Sequence, residues 1–396
     1  MHPTAAGAVR PAPLNPLLAD QREYPFMRLE RRVRELAPAD RPLIAFSVGD
    51  PREETPAFIR DTLVRSLPAV SSYPATQGKP ELREAIAGWY QRRYDVTLDP
   101  ERHVLPANGS KEAVFLLAFA LVSHDAERRT VVIPSPTYPV YELGARLAGG
   151  EVFFAPLSSA NGWRFDPATV PDAVWERTAL LWINDPHNPT GALLRSQDLA
   201  AIAALARRFG FWVAGDHAYD ELYFGAKPHS VLEHGVENAI AFHTLSKRSA
   251  MTGYRTGFMA GDPRLIDVLR RFRPSVGVAT PEFVQDAAIA AWRDDAHVAG
   301  LLAGYRAKRE RLLACFARHG WSVEASEASF YLWMRVPDGD DVAFSERLMR
   351  IGVVATPGSL LGTGGEGFLR WALVPTVAKC EEAVRRIDET FSVEAR

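Results

Sequence analysis

Short apolar runs alternate with helical patterns through the middle of the chain. Each run ends in a polar residue or proline, and the runs cover 130–136, 179–185, 211–216 and 239–246. Such runs are typical of buried parallel strands. Strands that alternate with helices indicate an α/β sheet covered by helices on both faces. Ligands of such sheets bind beyond the carboxyl ends of the strands, so we expect functional side chains at the polar run ends.

Two segments between these runs have strong helical patterns. Residues 196–210 carry apolar positions at helical spacing, with Ser196 or Asp198 as the candidate cap and Gly210 as the stop. Residues 111–123 are apolar nearly all round, which predicts a buried helix.

The pattern changes near residue 295, where a long charged helix is followed by further strand patterns and a final amphipathic helix at 376–391. This change predicts a smaller α+β domain. The first 50 residues are expected to join it, because 41–51 is another strand followed by a loop. The predicted organisation is a flexible arm, the N-terminal part of the small domain, a large domain and the C-terminal small domain, with bounds 1–20, 21–55, 56–294 and 295–396.

Composition narrows the class of protein. The chain has 396 residues, 47% hydrophobic and 24% charged, with a formal net charge of −2. This balance argues against nucleic acid or an anionic membrane surface as a partner. Cys315 and Cys380 lack the spacing of a metal site or a disulfide framework. Because no long apolar stretch or signal peptide is present, we expect a cytoplasmic protein without a membrane span.

Lys247 and Asp216 are the first candidates for chemistry. Lys247 lies in "TLSKRSAMTGYRTG" after an apolar run, and a desolvated lysine becomes an amine nucleophile toward aldehydes. Taken alone, it is more often a surface loop residue. Asp216 ends an apolar strand, where a carboxylate is costly unless it meets a cation such as a protonated pyridine nitrogen. A helix N-cap is its ordinary alternative. Tyr219, three residues later, is placed to reach a ring hydroxyl.

Three loops add to this pair. Asn188 lies in "NDPHNPTG", "ANGSKEA" (107–113) places backbone N–H groups at a helix start where phosphate binds, and Tyr138 lies between two prolines. Each has an ordinary alternative: a plain turn, a helix cap and a packed aromatic. Together the five signals provide a phosphate cradle, a ring stacker, a ring-oxygen donor, a partner for the ring nitrogen and a lysine for a Schiff base. This set of groups is what pyridoxal 5′-phosphate requires.

The motifs "HNPTG", "SKRSAMTGYRTG" and "FLRWAL", in this order, resemble those of the class I/II aminotransferases, enzymes of fold type I that depend on pyridoxal phosphate. The resemblance runs from about residue 24 to the C-terminus. It implies a large domain with a mostly parallel sheet covered by helices, and a smaller α+β domain. It also implies ping-pong transfer of an amino group between glutamate or 2-oxoglutarate and an amino acid or oxo acid, in a homodimer with shared active sites.

The resemblance also implies roles for individual residues. Lys247 forms the Schiff base and shuttles the proton, and Asp216 pairs with the pyridine nitrogen. Tyr138 stacks on the ring, and Asn188 and Tyr219 hold the ring hydroxyl. The positions that match the phosphate site are Gly109, Ser110, Lys111, Thr244, Ser246 and Arg255, together with Tyr73 reaching across from the neighbouring subunit.

The substrate α-carboxylate is assigned to Arg370, with Gly49 opposite and Asn188 beside it. We expect Arg255 to pair with the phosphate dianion in an almost dry site. One departure concerns His217 and Ala218, which follow Asp216 where the family often has Glu and Ile or Val. It leaves the local packing of Asp216 open.

Other classes of protein are alternatives to this interpretation. "GTGGEG" (362–367) fits a dinucleotide fingerprint, but it enters a predicted strand rather than a helix, so we interpret it as a loop leading into Arg370. A regulator that only binds the cofactor would need a DNA-binding module, for which the Pro/Ala-rich arm leaves no room. A C–S lyase or a decarboxylase would keep the same cofactor, and both stay open.

Local motifs bear on the substrate. "YPFMRL" (24–29), "SKRS" (246–249) and "AWRDDAHV" (291–298) are similar to those of N-succinyldiaminopimelate aminotransferases of lysine biosynthesis. Their implied substrate, N-succinyl-2-amino-6-oxopimelate, is long and multiply anionic, so a second cationic contact is expected. The candidates are Arg22, Arg28, Arg248 and Arg273, most of which should be surface arginines. The alternative is an aspartate, alanine, aromatic or secondary-metabolism aminotransferase.

Overall fold

In a computed structural model, which describes residues 12–19, 25–277 and 279–391, the strands match the predicted apolar runs. In chain order the strands are β1 (Ile44–Ala45), β2 (Val104–Ala107), β3 (Thr130–Ser135), β4 (Glu151–Pro156), β5 (Thr178–Asn184), β6 (Trp212–Asp216), β7 (Ala239–Thr244), β8 (Gly257–Gly261), β9 (Val323–Glu324), β10 (Tyr331–Arg335), β11 (Val353–Val354), β12 (Thr356–Pro357) and β13 (Phe368–Ala372).

The helices between them follow the same pattern. They are α1 (Pro16–Ala19), α2 (Pro25–Leu36), α3 (Ala57–Arg65), α4 (Pro80–Tyr94), α5 (Ser110–Leu121), α6 (Val140–Leu147), α7 (Asp172–Trp175), α8 (Ser196–Phe209), α9 (Leu245–Arg248), α10 (Pro263–Phe272), α11 (Glu282–Arg293), α12 (Ala296–Arg318), α13 (Asp341–Met349) and α14 (Val377–Phe391). Of the predicted N-terminal arm, residues 1–11 and 20 lie outside the described residues, and α1 is exposed.

A seven-stranded sheet forms the centre of the molecule, in the order β2-β8-β7-β6-β5-β3-β4. Neighbouring strands from β7 to β4 run parallel, and β8 is antiparallel to both of its neighbours. Every residue of β3, β5 and β7 is buried, as expected for strands covered on both faces. The predicted α/β fold with a mostly parallel sheet is confirmed.

Two helix predictions are refined by the structure. Gly210 ends α8 with a φ of +71°, a conformation that glycine adopts without strain, so the predicted stop is confirmed. The N-cap position is Arg195, whose backbone N–H is accepted by the Asp198 carboxylate at 2.8 Å, whereas Ser196 is the first helical residue. The prediction that α5 is buried holds for one face only, because Phe119 on its outer face is 40% exposed.

The C-terminal segment forms a second layer around the antiparallel sheet β12-β13-β10-β9. β1 pairs in parallel with β11, which brings the first described strand to this layer. Residues 362–367 lead into β13, which is a strand, whereas a dinucleotide fingerprint leads into a helix. The interpretation of this segment as a loop before Arg370 agrees with the structure. Within the described ranges, no helix is both long and apolar enough to cross a membrane.

Candidate active site

A cavity of about 420 Å³ lies at the carboxyl ends of β5, β6 and β7. Residues from the first 50 positions and from β13 close its other side. Most of the predicted site residues line this single cavity, and they are Gly49, Ser110, Lys111, Tyr138, Asn188, Asp216, Tyr219, Thr244, Ser246, Lys247, Arg255 and Arg370. The topology therefore brings together residues that are far apart in sequence, as expected for the edge of a parallel sheet.

Lys247 is held on a one-turn helix directly after β7. Thr244 ends the strand, and its Oγ1 accepts the backbone N–H of Ser246 at 3.1 Å, which caps α9. The Lys247 ammonium donates a hydrogen bond to the carbonyl oxygen of Gly49. Burial lowers the pKa of Lys247 to about 8, while the Asp50 carboxylate acts in the opposite direction. A sizeable fraction of neutral amine is therefore present at mildly basic pH, which a nucleophile requires.

Asp216 ends β6 at the floor of the cavity. Its Oδ2 accepts a hydrogen bond from the Tyr141 hydroxyl at 2.7 Å. Its Oδ1 is buried and has no hydrogen-bond partner among the described residues. Burial raises the pKa of this carboxyl, whereas the Tyr141 hydroxyl and the Ala218 backbone N–H lower it. A buried carboxylate with one open oxygen fits a cationic ring nitrogen, because such a partner offsets the cost of burial.

Arg370 lies on β13 and is buried on the opposite side of the cavity. Its Nη1 donates to Asn188 Oδ1 at 2.9 Å, and its Nη2 donates to the Ser47 carbonyl oxygen at 2.7 Å. The guanidinium lies 4.5 Å from the centroid of the Tyr331 ring. These contacts fix a planar fork in the cavity wall, and such a fork matches a carboxylate.

The start of α5 forms the third side of the cavity. Gly109 precedes the helix with a φ of +76°, and a Cβ there would lie 2.5 Å from Arg255 Nη2. Glycine is therefore favoured by the backbone conformation, whereas the exposed end of the Arg255 side chain is able to move away from a Cβ. Gly109 does not itself line the cavity, but Ser110 and Lys111 of the first helical turn do. The first N–H groups of a helix have no partner within the helix and are a suitable site for a phosphate.

Arg255 lies beside this helix start, but its surroundings differ from the expectation of an almost dry site. The side chain is exposed in the single chain, and its Nη1 donates to the Thr252 carbonyl oxygen at 2.8 Å. Arg255 lies at the rim, next to a wider groove of about 1200 Å³, and its pairing with a phosphate in an almost dry site stays a prediction.

The two tyrosines assigned to the cofactor ring, Tyr138 and Tyr219, both line the cavity. Tyr138 lines the cavity and contacts Tyr141 edge-on, with the ring centroids 5.7 Å apart. The Tyr219 hydroxyl lies 3.1 Å from the Tyr331 hydroxyl. Burial raises the pKa of Tyr219, so its hydroxyl stays protonated and is able to donate a hydrogen bond.

The unusual residue after Asp216 is fully accommodated. His217 is buried, its Nδ1 lies 2.7 Å from the Asp185 carbonyl oxygen, and its Nε2 accepts the Val231 N–H at 3.2 Å. Burial lowers the pKa of His217 to about 4, so the ring is neutral and carries its proton on Nδ1. Because both nitrogens are paired, the departure from the family pattern leaves Asp216 in place.

The candidate arginines for a distal carboxylate are separated by the structure. Arg22 lies outside the described residues. Arg248 was a wrong candidate, because it is buried behind the cavity and paired with Glu221 and Asp295. Arg273 is also buried, lies 3.4 Å from the Glu112 carboxylate and does not line the cavity. Arg28 is exposed and lines the wider groove.

Tyr73 is 91% exposed and does not line the cavity of its own chain. Its predicted reach to a neighbouring subunit stays a prediction.

Sequence reasoning missed several residues of the cavity. Tyr141 binds Asp216, and Asn184 lines the floor while its Oδ1 accepts the Asn188 backbone N–H at 2.7 Å. Both lie within segments already marked by their turn residues, three and four positions from a predicted site residue. Asp50 also lies in a marked segment, 41–51, directly after the predicted site residue Gly49. Tyr331 carried no such signal, because its role depends on how the C-terminal layer packs against the sheet.

Comparisons with known proteins agree with this geometry. Residues 41–387 match the family model described as aminotransferase class I and II. An LL-diaminopimelate aminotransferase of Dehalococcoides mccartyi is 36% identical over 372 residues, which cover 92% of this chain and 95% of that protein.

Solved structures show the same similarity. An aminotransferase from Neisseria meningitidis has a TM-score of 0.90 and 36% identity, covering 96% of this chain and 100% of that one. A probable N-succinyldiaminopimelate aminotransferase from Thermus thermophilus has a TM-score of 0.86 and 29% identity, covering 92% and 99%. Enzymes of the matched family depend on pyridoxal phosphate. The fold, the matched residues and these relatives show that the chain belongs to the class I and II aminotransferases.

Proposed function

We propose that the chain binds pyridoxal 5′-phosphate in the 420 Å³ cavity and transfers an amino group between glutamate or 2-oxoglutarate and a diaminopimelate-type amino acid or oxo acid by a ping-pong mechanism. One observation carries the proposal. A partly neutral lysine, a buried carboxylate with an open oxygen and a buried arginine fork line the same cavity from different elements. Each of these groups is costly to keep in place without a ligand.

Each residue of the cavity has a separate role in the proposed reaction. When bound, pyridoxal phosphate supplies an aldehyde for the amino group and a ring that accepts electrons. Lys247 Nζ provides the amine and moves the proton at the substrate Cα, because its lowered pKa suits a general base. Asp216 would pair with the ring nitrogen through its open Oδ1, and Tyr138 would stack on the ring.

The remaining residues hold the ring hydroxyl, the α-carboxylate of the substrate and the phosphate of the cofactor. Asn188 and Tyr219 hold the ring hydroxyl, and Arg370 orients the substrate α-carboxylate together with Asn188 and the backbone of Gly49. The phosphate is held by Gly109, Ser110, Lys111, Thr244, Ser246 and Arg255. With both ends held, the Cα–H bond lies within reach of Lys247.

The charge of the cavity mouth favours LL-diaminopimelate as the amino donor. Among the charged residues that line the described cavity, Glu30 and Asp50 have no role in the scheme above, and both are acidic. Asp50 is also 3.3 Å from the exposed Arg52. The ammonium at the far end of LL-diaminopimelate is stabilised by acidic neighbours, whereas N-succinylation converts it into a neutral amide and adds one carboxylate, which these neighbours repel. The name of the Dehalococcoides relative points in the same direction.

N-succinyldiaminopimelate is the second candidate, supported by the similarity to the Thermus structure. A panel of amino donors with 2-oxoglutarate decides between the two by the kcat/KM of each. We expect LL-diaminopimelate to exceed its N-succinyl form and aspartate by about tenfold or more, the effect of one favourable charge contact. Equal rates for aspartate and LL-diaminopimelate would contradict the substrate. Pyruvate and ammonia released from cystathionine would instead indicate a C–S lyase.

We also propose that the enzyme is a homodimer with shared active sites. Phe119 is 40% exposed and Phe154 is 38% exposed, and Phe154 lines the wider groove beside Arg255. A second copy would cover these residues and remove water from Arg255, and the exposed Tyr73 would be free to reach it. Sedimentation equilibrium measures the mass directly. A monomer with full activity would contradict the shared site.

A further inference from the structure

Arg248 follows Lys247 in sequence but points to the opposite side of the turn. Its side chain is 2% exposed. Its Nε donates to Glu221 Oε1 at 3.1 Å and its Nη2 to Asp295 Oδ1 at 2.6 Å. The guanidinium also lies 5.2 Å from the centroid of the Trp292 ring. Such a fully paired, buried arginine fixes the backbone that carries it.

The same arginine binds the end of a helix. Nη1 donates to the Ala291 carbonyl oxygen at 2.8 Å, and Nη2 donates to the Asp294 carbonyl oxygen at 3.1 Å. Both carbonyls lie at the C-terminal end of α11, where the last carbonyl groups of a helix lack partners within it. A cation is stabilised at this position by the helix dipole as well as by the two hydrogen bonds.

Ser249, the next residue, binds the same junction. Its Oγ lies 2.8 Å from His297 Nε2, and His297 Nδ1 lies 2.7 Å from Asp294 Oδ1. Asp294 Oδ1 also accepts the backbone N–H of His297 at 3.0 Å, which caps the start of α12. The arrangement has the composition of a hydrolase triad, but Ser249 is fully buried and no substrate reaches it. Its role is therefore a tie between two segments.

We propose that Arg248, Ser249 and His297 are positioning residues that fix the turn of Lys247 against the α11–α12 junction. "SKRS" (246–249) and "AWRDDAHV" (291–298) thus contact each other rather than the substrate. The inference rests on the proposed function, because the position of this turn affects the reaction only if Lys247 is the reacting amine.

The effect acts through geometry rather than through the charge of Arg248. Glu221 and Asp295 compensate that charge locally. The pKa of Lys247 is lowered by burial first and then by Arg255 and Arg370, with Asp50 opposing them. A looser turn would admit water to the amine, and the pKa of Lys247 would then rise toward its ordinary value.

A pair of matched variants tests the inference. Arg248→Lys keeps the charge and removes the fork. Arg386→Lys is the control, because Arg386 is 4% exposed and binds Glu382 and the carbonyl oxygens of Pro42 and Ile351, far in sequence from the lysine turn. The full chain, freed of cofactor, is mixed with pyridoxal phosphate at several pH values and reduced with borohydride, and the label on the Lys247 peptide is quantified by mass spectrometry. Thermal unfolding of each variant is recorded in parallel.

We expect both variants to lose thermal stability. Arg248→Lys alone should slow labelling of Lys247 by about 10- to 100-fold, the cost of a small displacement of a reacting group. Its pH midpoint should also rise above that of the natural protein. If Arg248→Lys does not fold, Ser249→Ala serves instead. It should change the labelling rate and the pH midpoint in the same directions, by a smaller amount.

The inference would be overturned if Lys247 were labelled in Arg248→Lys and Ser249→Ala at the rate and pH midpoint of the natural protein. It would also be overturned if Arg386→Lys changed the labelling rate and pH midpoint as much as Arg248→Lys does. Absence of labelling in the natural protein would instead overturn the proposed function.

Discussion

The two sides of the turn that carries Lys247 and Arg248 differ in how their polar groups are satisfied. On the cavity side, Asp216 Oδ1 and Arg370 Nε are buried without hydrogen-bond partners among the described residues. On the opposite side, Arg248 binds two carboxylates and two helix carbonyls, and both ring nitrogens of His297 are paired. Trp292 Nε1 on that side is also buried without a partner, but Trp292 does not line the cavity, whereas Asp216 and Arg370 do. Buried polar groups are normally paired, and an unpaired carboxylate oxygen in a cavity wall marks the place where a ligand supplies the missing partner.

The difference also shows that neighbouring residues of one motif have separate roles. Lys247 and Arg248 are adjacent, yet one reaches Gly49 and the other reaches the end of α11. A cationic residue beside a reactive lysine is therefore weak support for an anionic substrate. Its direction, which depends on the tertiary structure, decides its role.

The largest effect should come from removing the amine on the cavity side. We expect Lys247→Ala to lower the rate of amino transfer at least about a thousandfold, because it removes both the nucleophile and the base. Lys227→Ala is the matched control, since burial also lowers the pKa of Lys227 but the residue does not line the cavity. Single-turnover absorbance changes with glutamate measure both variants. If Lys247→Ala and Lys227→Ala lost the rate of amino transfer to a comparable extent, the position of Lys247 in the cavity would not be the cause.

Arg370→Lys should have the next largest effect. Loss of the planar fork should raise KM for α-amino acids about 10- to 100-fold, the range for hydrogen bonds to charged groups. A primary amine without an α-carboxylate is the control substrate, and its slow reaction should be unchanged. If KM rose equally for the amine, Arg370 would act on the protein structure rather than on the carboxylate.

Tyr141→Phe tests the carboxylate with the open oxygen. The Tyr141 hydroxyl lowers the pKa of Asp216, so its removal raises that pKa and weakens the partner of the ring nitrogen. We expect about 5- to 10-fold weaker binding of pyridoxal phosphate by equilibrium dialysis. An analogue with carbon in place of the ring nitrogen should bind both proteins equally well. An equal loss with the analogue would place the effect elsewhere on the cofactor.

The smallest effect concerns the pH dependence of stability. The pKa of His217 is lowered to about 4 by burial, below the ordinary value of 6.5. The unfolded chain therefore binds more protons between these values, and the free energy of unfolding falls as pH drops from 6.5 toward 4. In urea titrations at pH 6.5 and 5.5, His217→Gln should reduce this fall by about 1 kcal/mol. The exposed His124→Gln is the control, and an equal reduction there would exclude His217 as the cause.

The sequence predicted the sheet and much of the cavity, because apolar runs and their polar ends are local signals. β5, β6 and β7 end at Asn184, Asp216 and Thr244, close to the predicted positions. Tertiary contacts were harder to predict from the sequence. The buried pairing of Arg248, the exposed outer face of α5 and the rim position of Arg255 depend on which helices lie beside them. No local pattern specifies those neighbours.

The central claim is that Lys247 and its cavity hold pyridoxal phosphate for amino transfer. The most direct measurement is borohydride reduction of the natural protein after mixing with the cofactor, followed by peptide mass mapping with and without excess LL-diaminopimelate. We predict one labelled residue, Lys247, whose labelling decreases with excess LL-diaminopimelate, because the amino donor takes the aldehyde in place of the lysine. A label on another lysine, or none, would contradict the account.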